Sequence, residues 1–166
     1  MAKRFSLREF QQSVLNRIQV QTSGGVTSKA AALGVQIGGQ NWLIEMSDVS
    51  EVLPMPALTH VPLAKPWFLG VANVRGKLYG IADISAFNGM GDTLRGQSNR
   101  VLLLADKYAF NAGLLVPRVI GLRDSANWTK TRVAGEMRLS DDKGQVWRTL
   151  DIPALLQSDD FLQIGR

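Results

Sequence analysis

The chain has 166 residues, close to the modal size of one domain, so a large multidomain enzyme is excluded. Apolar residues make up 45% and charged residues 20%, enough for a buried core, and the absence of cysteine removes disulfides, thiolate metal sites and cysteine nucleophiles together. The net charge of +5 raises nucleic acid as a partner, but residues 1–30 hold Lys3, Arg4, Arg8, Arg17 and Lys29 against Glu9 alone, which leaves 14 basic and 13 acidic side chains in the rest of the chain.

The N-terminus reads as an amphipathic helix. Ser6-Leu-Arg-Glu9 is a capping box, and Phe5 and Phe10 flank it as a hydrophobic staple. Leu7, Phe10, Val14 and Ile18 then recur at helical spacing as one apolar stripe, which must dock on this protein's own body, a second subunit or a partner. The helix fades near Gln21, where Thr22-Ser-Gly-Gly-Val-Thr-Ser28 forms a flexible joint. Residues 1–30 are thus an appendage and residues 31–166 the folded body. Arg8, Glu9 and Arg17 interrupt any signal-peptide core, and the longest apolar run has five residues against the roughly 20 that span a bilayer, so a cytoplasmic protein with no direct membrane insertion is expected.

After the joint, short β-segments separated by turn residues are predicted at 33–38, 42–46, 69–74, 77–82, 101–105, 111–116, 136–140 and 145–150. Pro54, Pro56, Pro62 and Pro66 make residues 54–66 an extended connection. Gly76-Lys-Leu-Tyr-Gly-Ile-Ala-Asp83-Ile-Ser-Ala-Phe87 aligns without a gap on Gly144-Gln-Val-Trp-Arg-Thr-Leu-Asp151-Ile-Pro-Ala-Leu155, and each Asp is placed to cap a short helix. A weaker echo precedes each copy, a hairpin followed by Val49-Ser-Glu-Val52 or Val119-Ile-Gly-Leu122. The repeat implies two related β-subdomains packed together, a mainly β fold of small-barrel type.

Catalytic parts are missing. His60 is the sole histidine, with no cysteine and no Gly-x-Ser-x-Gly elbow beside it, so neither a triad nor a zinc site can be nominated. Gly89-Met-Gly91 lacks the last glycine of a dinucleotide fingerprint. Asp141-Asp142 and Asp159-Asp160 cannot each clamp a metal, because adjacent side chains diverge; they read as a turn and a chain end. No catalytic, metal or cofactor residue is expected. The closely alternating charges of residues 118–143 read as a mixed solvated surface.

The segment Trp67-Phe-Leu-Gly70-Val-Ala-Asn73-Val74-Arg75-Gly76, followed by Asp83-Ile84, resembles the CheW-like coupling domains of bacterial chemosensory systems, whose hallmark is a Gly-Val-x-Asn-Leu-Arg-Gly turn between strands and a following Asp-Leu. Val74 stands in place of Leu, and Pro117 in place of an Asp. Val49-Ser-Glu51-Val52, Gly113-Leu-Leu-Val116 and Leu150-Asp-Ile-Pro-Ala-Leu-Leu156 also match, over about residues 31–157. The resemblance implies two packed five-stranded SH3-like barrels and a non-catalytic adaptor bridging methyl-accepting receptors to a CheA-type histidine kinase. With its N-terminal extension the chain most resembles the type IV pilus, or twitching, branch. It implies receptor contact by Arg75 and Asn73 and kinase contact by Val49, Glu51 and Gly70, with Val49 and Glu51 on one strand face. Trp67, Tyr79 and Trp147 are candidate core. The reading from another class is a small-barrel module that binds nucleic acid, suggested by fold type and overall basicity.

Overall fold

The computed structural model describes residues 31–165. The predicted helix with its stripe Leu7, Phe10, Val14 and Ile18 lies outside them. The body is built from eleven strands: β1 (Ala31–Ile37), β2 (Gln40–Glu45), β3 (Val49–Pro54), β4 (Phe68–Val74), β5 (Lys77–Asp83), β6 (Arg100–Leu104), β7 (Ala112–Val116), β8 (Arg118–Asp124), β9 (Thr129–Val133), β10 (Glu136–Ser140) and β11 (Val146–Thr149). Three short helices join them: α1 (Ile84–Phe87), α2 (Ile152–Gln157) and α3 (Asp159–Leu162). The eight predicted strands are present, and residues 55–67 form an extended connection as the prolines require. Asp83 and Asp151 cap α1 and α2 as the repeat predicts, accepting from the amides of Ser85 and Ala86 and of Ala154.

The strands form two sheets, a six-stranded one in the order β8-β1-β2-β11-β10-β9 and a five-stranded one in the order β3-β6-β7-β5-β4. The expected pair of five-stranded units therefore gains one strand, β9, an exposed edge. Strand-by-strand correspondence is close. In each sheet a hairpin (β1-β2 or β6-β7) pairs antiparallel with an outer strand (β8 or β3) and parallel with the repeat strand (β11 or β5). The outer strands are exchanged. β3 follows the β1-β2 hairpin in sequence but pairs with β6, and β8 follows β6-β7 but pairs with β1. These are the two segments that echo each other in the sequence.

Crossing between sheets takes little chain. The first passage is a 3-10 turn, Met46–Asp48; the second is Pro117 alone, between Val116, which pairs with Arg100, and Arg118, which pairs with Gln36. Proline carries no N–H to leave unpaired there, so the substitution at this point costs no ladder bond. At the first passage the buried Asp48 carboxylate accepts from the Tyr108 hydroxyl and pairs with Lys107 at 3.1 Å, while its carbonyl accepts from the Ala105 amide at 2.9 Å. Burial, then the bond to Asp48, pushes the Tyr108 hydroxyl far above its ordinary range, so it stays a donor.

Three apolar clusters follow from this exchange. One lies between the sheets and joins Leu33, Val35, Ile44, Leu102, Leu114 and Ile152. A second, of Leu53, Ala72, Tyr79, Ile81, Val101, Leu103 and Leu115, takes a side chain from every strand of the five-stranded sheet, which is therefore curled around its own interior. The third, around Leu43, Leu139 and Trp147, draws on β1, β2, β8, β10 and β11 of the larger sheet and leaves the exposed β9 out. β6 and β7 face a cluster on each side, which is why they read as unbroken apolar runs. Tyr79 and Trp147 are core, as expected; Trp67 is partly buried and stacks on Phe161 at 5.5 Å, tying α3 to the connection before β4.

Gly70 sits at a bulge in β4 with φ of 141°, where the Thr59 segment adds to the strand through bonds of 2.8 and 2.9 Å with Val71. A Cβ there would stand 2.4 Å from the Thr59 carbonyl oxygen. Gly70→Ala should therefore lower unfolding stability by about 2–4 kcal/mol in urea melts, while Gly96→Ala, with open space around it, stays within about 0.5 kcal/mol; equal effects would contradict the packing. In the β10–β11 turn, burial pushes the Asp141 carboxyl up, but the Trp147 indole N–H and the amides of Gln145 and Lys143 outweigh it and hold it below 3.8. A depressed carboxyl stabilises the fold above its unfolded value and loses that contribution as pH falls through the folded one. An NMR titration should place the Asp141 midpoint below 3.8, with the Trp147 indole resonance moving in step.

Candidate partner-binding site

The candidate site is built on the turn between β4 and β5. Val74 pairs with Lys77, leaving Arg75 and Gly76 as a two-residue hairpin loop. Both have positive φ, 52° and 82°, which is a type I′ turn matched to the twist of its strands. Glycine adopts that conformation freely; arginine does so at a cost, borne here by the loop geometry. The exposed Asn73 fixes the turn from within, its side-chain oxygen accepting from the Gly76 amide at 2.9 Å. The turn holds Arg75 clear of the sheet, with 55% of its side chain exposed.

Arg75 reaches Glu51 on β3. Its Nη1 donates to Oε1 at 2.8 Å and its Nη2 to Oε2, a bidentate pair, and the carboxylate's bond and charge hold the guanidinium above its ordinary value. β3 and β4 are opposite edges of the five-stranded sheet, so this pair spans the seam where the curled sheet closes. Glu51 is the more enclosed partner, 13% exposed. The sequence reading assigned these two residues to different partners; the fold brings them together.

Val49 and Glu51 do not share a face. Opposite β6 the register shifts between them, Val49 facing Leu104 and Glu51 facing Leu103, so the expected alternation fails at Ser50. The Ser50 hydroxyl lies 3.3 and 3.2 Å from the Leu103 and Leu104 carbonyls at this bulge. Val49 is consequently core, 1% exposed, and Gly70 is buried as well. The surface near the turn is supplied by Arg75, Asn73 and the edge of Glu51; Val49 and Gly70 shape it from beneath.

Sequence reasoning also missed a second charged group. Arg138, read as part of a mixed solvated surface, stands on β10 directly opposite Arg148 on β11, with Glu136 bound to Arg148 at 2.8 and 2.9 Å. Alternating signs along the chain gave no indication of this cross-strand pairing. Among the described residues no group of three or more His, Asp or Glu side chains is placed to hold a metal, and the exposed His60 stands on the connection before β4.

Comparison with known proteins agrees with this architecture. The family model of the CheW-like domain matches residues 31–160. Protein PilI of Pseudomonas aeruginosa is 38% identical over 93 residues, covering 56% of this chain and 52% of that protein; the chain thus spans about half the length of the curated relative it matches. Among solved structures, the scaffolding protein TtCheW from Thermoanaerobacter tengcongensis superposes with a TM-score of 0.65 at 17% identity, covering 80% of this chain and 95% of that one, a likeness of fold.

Surface ion pairs contribute about 0–1 kcal/mol. Arg75→Ala should accordingly change the urea midpoint by less than that equivalent, leaving the seam to its apolar interior. A larger loss would make the pair a structural clasp rather than a presented head.

Proposed function

The chain belongs to the CheW-like domain family, and on that premise we propose that it is a non-catalytic adaptor coupling methyl-accepting chemoreceptors to a CheA-type histidine kinase, in the control of type IV pili and twitching motility. The observation that carries this reading is the Arg75 head, held 55% exposed on a two-residue turn and paired with Glu51 across the barrel seam. A planar multi-donor group on a rigid turn suits recognition of a partner carboxylate or backbone carbonyl. The similarity to PilI supports the pilus pathway over other chemosensory branches.

In this reading Arg75 and Asn73 meet the receptor, and Glu51, over the frame set by Val49 and Gly70, meets the regulatory domain of the kinase. The ion pair makes the two contacts interdependent. A receptor group that draws Arg75 away changes the charge Glu51 presents on the kinase side. No helix among the described residues is long and apolar enough to cross a membrane; association with receptor arrays comes through the partners.

The test is co-purification of the full chain with a receptor cytoplasmic fragment and with the kinase regulatory domain. Arg75→Glu should reduce receptor capture about tenfold or more while the far-UV spectrum stays that of the parent. Combining it with Glu51→Arg rebuilds the pair with reversed ends and should not restore capture, because the head keeps the wrong sign. Unchanged receptor capture by Arg75→Glu would sink the assignment.

A further inference from the structure

Far from the Arg75 turn, a concave cleft of about 330 Å³ opens where β2, β10 and β11 meet. Its charged walls are Arg138 and Arg148, and the amide side chains of Gln40, Asn41 and Gln145 line the rest together with Gly39 and Val146. Two arginines directly opposite on neighbouring strands repel each other, and one carboxylate, Glu136, serves both. The cleft therefore keeps one net positive charge.

The donors are unevenly used. Arg148 spends Nη1 on Gln40 at 2.8 Å and Nη2 on Glu136, and its guanidinium lies 4.3 Å over the Trp42 ring, which fixes its plane. Arg138 approaches Glu136 only at 3.8 Å, and its side chain makes no hydrogen bond among the described residues. The Nε atoms of both arginines are enclosed and without an acceptor. Those two Nε atoms are sealed off from the cleft, so the donors Arg138 can offer to a ligand are its Nη groups, on a side chain 36% exposed. The acceptor that matches the paired Nη groups of a planar guanidinium is a carboxylate. The volume exceeds that of a lone ion and falls at the small end of ligand pockets, and the three amides offer both donors and acceptors to the remainder of a molecule.

We propose that this cleft binds a small free carboxylic acid, its carboxylate held by Arg138 and Arg148 and its polar remainder by Gln40, Asn41 and Gln145. The site lies on the six-stranded sheet, whereas the Arg75–Glu51 pair belongs to the five-stranded one, so it is independent of the adaptor reading.

Titrating the full chain with glutarate, and separately with inorganic phosphate and with tri-glutamate peptide, while recording amide NMR spectra tests this. Saturable glutarate shifts confined to residues 39–41 and 136–148 are expected. Arg138→Gln, which breaks no hydrogen bond within the fold, should weaken the dissociation constant about tenfold or more, and Arg148→Lys, which keeps the charge but loses the planar donor edge, should do likewise. Lys130→Gln on the exposed β9 should leave it unchanged. Non-saturating or scattered shifts, or unaltered binding in Arg138→Gln, would overturn the site. Phosphate binding as tight as glutarate would overturn the choice of carboxylate, and tighter binding of the peptide would overturn the free acid as its bearer.

Discussion

Strands β3 and β8 each leave the hairpin that precedes them and pair in the other sheet. Every other feature of the molecule depends on that exchange. Neither repeat can bury its own apolar face, because its hairpin and the strands that follow it belong to different sheets. The cluster between the sheets is therefore made of residues far apart in the chain, such as Val35 beside Leu114 and Ile152, and forms only when both halves are in place. Long-range pairing of this kind carries a loop-closure cost before any burial offsets it, so cooperative folding of the whole body follows from topology.

Carboxylates in this protein are largely committed to holding the chain's path. Asp48 secures the first passage between sheets, Asp83 is buried under four hydrogen bonds from α1 and Thr93, Asp141 organises the β10–β11 turn, and Asp151 caps α2. Two arginines stand apart from these, one exposed on a hairpin turn and one facing a cleft. Recognition of anionic or carbonyl partners is the chemistry such a distribution supports.

Strands with a buried face were legible because alternation or an unbroken apolar run survives in the sequence. The three not found by pattern fail for separate reasons. β9, Thr129–Val133, is exposed throughout and has no apolar period; β3 is interrupted by the Ser50 bulge and ends at Pro54; β8 is half-buried along its length between Arg118 and Asp124 and carries its own bulge opposite Gly34 and Val35. Yet β3 and β8 were visible as matching echoes, which sequence can register without revealing that they change sheets. At the site, the Arg75-Gly76 turn was readable from local chemistry. Its partner Glu51 was not, because the contact exists only once the two edges of a five-stranded sheet meet, and the separation of Val49 from Glu51 depends on a bulge that alternation cannot foresee.

Pro117 alone carries the chain back from one barrel to the other, and the outward passage takes three residues. There is no slack in either tether, and the space between the barrels is filled. A turning moment applied at the β4–β5 turn reaches the far sheet as rotation of the whole body, without lost motion at an internal joint. Short connections and a shared apolar cluster join the two sheets of residues 31–165 as one body. In any lattice assembled from it, compliance resides in the contacts between molecules, and the geometry of those contacts, rather than bending of this chain, sets how far a displacement travels.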